Sequence, residues 1–146
     1  MLKIIITGPE NSGKTTLSEK LAEHFNLALA PEFAREYIAK LNRQYQQNDL
    51  IAIAKKQLNL ENHANILDTD LITIKIWSLY KYKICDNWIL QNIAHQKTKN
   101  RIYILCKPDI DWEADPQREN PNDREKLFTI YEQELIKLNH NYFIIQ

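Results

Sequence analysis

The residues best suited to chemistry open the chain as one uninterrupted run, Gly8-Pro9-Glu10-Asn11-Ser12-Gly13-Lys14-Thr15, followed by Thr16. The run fits G-x-x-x-x-G-K-[ST], a Walker A pattern. Successive backbone N–H groups of such a loop wrap a phosphate. The helix that follows points its positive dipole end at the same place. Glycines permit a backbone path and an approach that a Cβ would block. Lys14 is placed to reach the β- and γ-phosphates as a catalytic cation, and the Thr15 hydroxyl to ligate Mg²⁺. Gly8, Glu10, Asn11, Ser12, Gly13, Lys14, Thr15 and Thr16 are thus the candidate nucleotide-binding segment. A chance match in an ordinary turn is the alternative. It is disfavoured by glycine scarcity, because the chain has two glycines and both fall in this motif.

A second group of polar residues, Asp68 and Asp70, follows a short apolar run. At the carboxyl end of a strand in an open α/β sheet they would lie where ligands bind. Asp68 is the candidate for orienting Mg²⁺. Asp70 could share that task or contact substrate, or it could cap the next helix. Two other nucleotide-binding designs fail. Cys106-Lys107-Pro108-Asp109 imitates a guanine-reading N-K-x-D, but no glycine follows position 13, so a GTPase D-x-x-G cannot occur. No G-x-G-x-x-G is present either, which excludes the dinucleotide-binding fingerprint.

The elements that must position these groups follow from periodicity. Leu2 to Thr7 is β-branched and apolar and ends at Gly8-Pro9, so it reads as a buried strand. Lys14 to Phe25 has helical apolar spacing. Leu27 to Ala30, Asn65 to Leu67 with Asp68, Arg101 to Cys106, and Tyr142 to Ile145 read as further strands. Helices are expected over Phe33–Leu41, Leu50–His63 with Asp49 as cap, Leu71–Lys83, Trp88–Gln96 and Asp123–Asn139. Residues 107–122 hold three of the five prolines without an apolar period and read as a long functional loop. Strand–helix alternation predicts an α/β fold: a five-stranded, mainly parallel sheet flanked by helices, in one domain over residues 1–146.

Composition bounds the rest. The chain has 146 residues, 44% hydrophobic and 26% charged, with 19 basic and 19 acidic side chains. A net charge of zero, with no helix-turn-helix and no basic stripe, argues against nucleic acid as a partner. No apolar run is long enough for a membrane span. Cys85 and Cys106 lack metal or redox spacing, so a reduced, cytoplasmic setting is expected. His24, His63, His95 and His140 show no metal spacing. Trp77 and Trp88 read as core. Gln57 and Glu61 share a helix face and are assigned no site. The oligomeric state is left open.

One family carries these motifs in this order: the phosphate loop, Pro31-Glu32-Phe33-Ala34-Arg35-Glu36-Tyr37, Asp68-Thr69-Asp70, and Pro108-Asp109-Ile110-Asp111-Trp112 with Asp115 and Arg118. The chain resembles the ribosylnicotinamide kinase domain of NadR-type proteins, within the AAA-like ATPase and kinase group. The resemblance spans about Leu2 to Ile145. It implies a nucleoside/nucleotide-kinase-like P-loop NTPase fold and transfer of the ATP γ-phosphoryl group to the ribose 5′-hydroxyl of nicotinamide riboside, with Mg²⁺, in NAD salvage. It implies that Glu32 accepts the substrate hydroxyl proton or holds the ribose, where the alternative is a helix N-terminal acid. Arg35 would hold a phosphate or Glu32, or belong to an exposed charged face. The loop at about 107–122 would be a lid. Its Trp112 would stack on the cationic pyridinium, while Arg118 and Arg124 would close onto ATP phosphates. The acids Asp109, Asp111, Glu113, Asp115, Glu119, Asp123 and Glu125 suit a cationic substrate. Here Asp111 precedes Trp112, and Pro116 stands where the family has glycine. Two other functions fit the same residues: a kinase of another nucleoside or nucleotide, and a non-catalytic ATP-binding regulatory module.

Overall fold

A computed structural model describes residues 2–10, 12–108 and 123–146. Asn11 and most of the expected lid, with Trp112 and Arg118, lie outside them. The sheet is built on β1 (Lys3–Thr7), whose Lys-Ile-Ile-Ile-Thr run buries Ile5 and Ile6 completely. Around it lie β2 (Leu29–Ala30), β3 (Ile66–Asp68), β4 (Arg101–Cys106) and β5 (Asn141–Ile145), in the order β2-β3-β1-β4-β5. Every pairing is parallel. The expected five-stranded α/β fold is therefore what forms. From β1 the chain crosses to β2 and β3 on one side, then to β4 and β5 on the other. That reversal makes the carboxyl edge of β1 a topological switch point, the place where open α/β sheets bind ligands.

Six α-helices flank the sheet among the described residues: α1 (Lys14–Phe25), α2 (Phe33–Ala39), α3 (Gln47–Glu61), α4 (Leu71–Tyr82), α5 (Asn87–Ala94) and α6 (Arg124–Lys137). α1 packs on β1 and β3, whereas α4 packs against α3, α5 and α6. Residues 71–76 of α4 are all buried, so this helix is core on every side rather than amphipathic. Two polar pairs set its direction. Lys75 Nζ meets Glu134 at 2.7 Å, and the Tyr80 hydroxyl donates to Asp123 at 2.7 Å, so α4 and α6 run antiparallel. Trp77 and Trp88 pack against the core, as expected.

Most element ends lie one to three residues from those expected, β2 and α3 among them. β2 is shorter, and Leu27 is exposed. α3 begins earlier, at Gln47, with Gln46 as its cap. Asp49 sits at the third helical position, where its carboxylate accepts from the Gln46 N–H and completes a capping box. Asp49 also accepts from Arg43 and from the Tyr37 hydroxyl, which ties the α2–α3 connection to both helices. The Arg43 hydrogen bonds hold its carboxyl well below the usual range, with the Gln46 and Tyr37 bonds adding to them.

Candidate active site

The phosphate loop is shaped by an obligatory glycine. Gly8 has φ +139, and a Cβ on it would stand 2.6 Å from the Cys106 carbonyl oxygen. Only glycine lets the loop pass this close to the end of β4. Gly13, at φ 81, is the N-cap of α1 and carries no side chain to occupy the helix's first N–H groups. No acidic residue lies in that first turn, so the positive end of the helix dipole is open to an external anion. The Pro9 carbonyl gathers the loop from within. It accepts from Ser12 Oγ at 2.6 Å and from Lys14 Nζ at 2.9 Å. Thr16 is exposed beside them. Ser12, Gly13, Thr16, Leu17, Cys106 and Ile145 line much of a cavity of about 530 Å³ between α1 and the ends of β4 and β5.

Asp68 joins this loop through sheet register. β1 and β3 pair with Ile6 opposite Asp68, which brings the end of β3 beside the start of α1. The Thr15 hydroxyl donates to Asp68 Oδ2 at 2.8 Å. Asp68 Oδ1 is buried with no hydrogen-bond partner among the described residues. Burial pushes the Asp68 carboxyl up and Glu19 adds to it, while the Thr15 bond and the Lys14 charge pull it down. A buried carboxylate oxygen without a partner is costly. A hydroxyl and a carboxylate oxygen beside a phosphate loop are the hard donors that Mg²⁺ takes when phosphates and waters complete its shell. No cluster of three or more His, Cys, Asp or Glu capable of holding a metal occurs among the described residues.

Of the roles open to Asp70, the structure shows the cap of the next helix. Asp70 is 0% exposed. Its Oδ1 accepts from the Ile72 N–H as the cap of α4, and its Oδ2 accepts from Arg101 Nη2 at 2.7 Å and from the Tyr103 hydroxyl. Arg101 also forms a two-point pair with Glu61 at 3.1 Å. Both carboxylate oxygens are thus engaged by groups of the interior. Between the two aspartates, Thr69 holds φ 69, a left-handed conformation costly for a β-branched residue. The strand ladder below, through Thr69 N–H to Ile6 C=O at 2.9 Å, and the Asp70 network beyond it hold this turn.

Glu32 stands at the N-cap of α2 and makes no capping hydrogen bond with its side chain. Burial pushes its carboxyl up; Asp68 and Glu10 add to the rise, and Lys14 and Arg35 oppose it. These electrostatic partners are the loop lysine and the β3 carboxylate, so the fold gathers Glu32, Lys14, Thr15 and Asp68 at one sheet edge. Arg35 is exposed in the first turn of α2. Glu36 pairs with Lys40 on that helix's outer face. Arg124 is the first residue of α6. Gln57, expected only to share a helix face with Glu61 and given no site, binds through its amide the backbone on both sides of Glu32. No motif marks such a residue, because its partners are main-chain groups.

The comparisons with known proteins point the same way. A family described as AAA domain matches residues 3–146. The chain is 29% identical to the trifunctional NAD biosynthesis/regulator protein NadR of Salmonella typhimurium, over 97% of this chain and 37% of that protein. It therefore spans little more than a third of that relative's length. A crystal structure of NadR protein in complex with NR superposes with a TM-score of 0.78 at 19% identity, covering 99% of this chain and 46% of that one. A second, of NadR protein in complex with NAD and AMP-PNP, gives 0.69 at 19% identity, covering 99% and 44%. No described helix is long and apolar enough to cross a membrane.

Proposed function

Because the chain belongs to the AAA domain family and is homologous to the NadR-type kinase domain, we propose that it is an ATP-dependent kinase that phosphorylates the ribose 5′-hydroxyl of nicotinamide riboside. The observation that carries this reading is the Thr15–Asp68 hydrogen bond, with its unpartnered Asp68 Oδ1, set beside Lys14 and Glu32. Phosphoryl transfer needs positioning and charge neutralisation more than covalent chemistry. The loop N–H groups and the α1 N-terminus receive the phosphates, and Lys14 leaves the Pro9 carbonyl to meet them. Thr15 and Asp68 hold Mg²⁺, which when bound neutralises phosphate charge. The cavity beside Thr16 and Leu17 receives the rest of the nucleotide. Glu32 orients the ribose hydroxyl and takes its proton as the oxygen bonds to the γ-phosphorus and the bond to ADP breaks. Its raised pKa makes it a better proton acceptor than an ordinary surface carboxylate. Trp112, Arg118, Arg124 and Arg35 complete the proposed site as ring-stacking and phosphate-holding groups.

The test is ATP turnover with nicotinamide riboside, run beside uridine, thymidine and no acceptor, with Lys14→Ala as blank. Turnover that needs nicotinamide riboside and vanishes in the blank supports the reading. Turnover with another nucleoside alone assigns a different acceptor. ATP binding with no acceptor-dependent turnover would overturn the nicotinamide riboside reading and leave a regulatory module or a kinase of an untested substrate.

A further inference from the structure

We propose that Gln57, an interior residue of α3, is the positioning residue for Glu32; this rests on the reading of Glu32 given above. Gln57 is 2% exposed, and both heteroatoms of its side-chain amide are hydrogen-bonded. Its Oε1 accepts from the Phe33 N–H at 2.9 Å, and its Nε2 donates to the Pro31 carbonyl at 2.9 Å. Phe33 is the residue after Glu32 and Pro31 the residue before it. A planar amide bonded at two points fixes the position and tilt of the short segment carrying Glu32. A neutral primary amide presents a donor and an acceptor on one rigid plane at any ordinary pH, which matches one carbonyl and one N–H two residues apart.

The local chemistry shows why such a bracket is needed. α2 starts at Phe33, whose N–H has no intrahelical partner. Helix starts commonly draw on the side chain of the cap residue for their free donors. Here the cap is Glu32, and its carboxylate does not cap. Gln57 satisfies the Phe33 donor from another helix, and Glu32 is left to face Lys14 and Asp68. The same helix holds the far half of α2 through Asp49 and the Tyr37 hydroxyl at 2.8 Å. α3 is itself anchored at its other end, where Glu61 pairs with Arg101. Glu32 is therefore aimed from α3 rather than from the loop that bears it.

The experiment compares Gln57→Met, which keeps length and removes both bonds, with Gln57→Glu, which keeps the acceptor for Phe33 and loses the donor to Pro31. Glu32→Gln is measured alongside, with the acceptor that the turnover assay identifies. The expected result for Gln57→Met is a kcat lower by about 10–100-fold, as for a reacting group displaced by around an ångström, with the KM for ATP unchanged. In Gln57→Glu, protonation of the new carboxyl restores a donor toward Pro31, so part of the loss returns as pH falls. A second readout needs no turnover: ¹³C titration of the Glu32 carboxyl, whose raised pKa falls toward the ordinary value in Gln57→Met. A Gln57→Met protein that is less stable but keeps wild-type kcat and the wild-type Glu32 titration overturns the proposal while leaving the kinase intact. Full turnover in Glu32→Gln overturns the role of Glu32, and this inference with it.

Discussion

Replacing Arg101 with methionine (Arg101→Met) removes the one cation that two interior carboxylates share. Arg101 is 5% exposed; its guanidinium meets Glu61 at two points and Asp70 at a third, and its Nε reaches the Tyr103 hydroxyl at 3.3 Å. Without it, Asp70 keeps its cap bond and the Tyr103 hydroxyl, while Glu61 keeps only the more distant charge of Lys3. Breaking a buried pair by deleting one partner costs about 3–5 kcal/mol. Set against a typical domain stability of about 5–15 kcal/mol, that is a large share. At about 2–4 °C per kcal/mol for a chain of this size, the melting point falls by roughly 6–20 °C. The loss depends on pH. Burial already pushes the Glu61 carboxyl up and Arg101 holds it down; removing Arg101 raises it further. A group whose folded pKa lies above its unfolded value destabilises the fold increasingly as pH rises between the two. Urea unfolding should therefore show a smaller deficit at pH 5 than at pH 8. Combining Arg101→Met with Glu61→Gln and Asp70→Asn should recover most of the loss, because no unpaired charge remains buried and Asn retains an acceptor for Ile72. A deficit under about 1 kcal/mol, equal at both pH values, would refute the reasoning, since that is the behaviour of a solvated pair.

Two other substitutions probe the phosphate side. Gly8→Ala places a Cβ 2.6 Å from the Cys106 carbonyl at φ +139, so overpacking and backbone strain of about 1–3 kcal/mol each are expected. Nucleotide affinity should fall with stability, and a protein that binds ATP at wild-type strength would contradict this account of the loop. Asp68→Asn separates function from stability. The Asp68 carboxyl is raised by burial, so in the free protein its ionisation opposes folding at neutral pH, and the neutral amide should raise the melting temperature there but not well below the ordinary carboxylate pKa. The same change should abolish the extra thermal protection that Mg²⁺ adds to ATP. Retained Mg²⁺ dependence in a thermal-shift assay would remove Asp68 from the cation site.

What could be read from the sequence was local. β1, the phosphate loop and α1 are specified within residues 3–25 by a β-branched run, two glycines and helical spacing, so their order and roles are visible in the chain itself. The place of Asp68 at the end of β3 was legible from the short apolar run before it. Its meeting with Thr15 depends on the Ile6–Asp68 register. The start of α3 was misread because Gln46 is an unusual cap, whereas Asp49, a favoured one, works from the third position. Asp70 carried both readings, and its neighbours Arg101 and Tyr103, far along the chain, decided between them. Gln57 and Arg101 were illegible for one reason. Each acts through partners on other elements, and no spacing announces such partners.

The wall behind Gly8 also bears on how the chain acquires its shape. Gly8 and Cys106 touch across β1 and β4, although β2, β3 and five of the six described helices separate them in sequence. Contacts of such long range form late, because the loop between them must first be closed. The phosphate loop is thus made early in synthesis and moulded late. Until β4 docks beside β1, Gly8 lacks the Cys106 carbonyl that it passes in the folded chain. Nucleotide capture then reports the closing of the sheet, and during refolding bound nucleotide would act at the last step, by trapping the finished product, not by seeding the first.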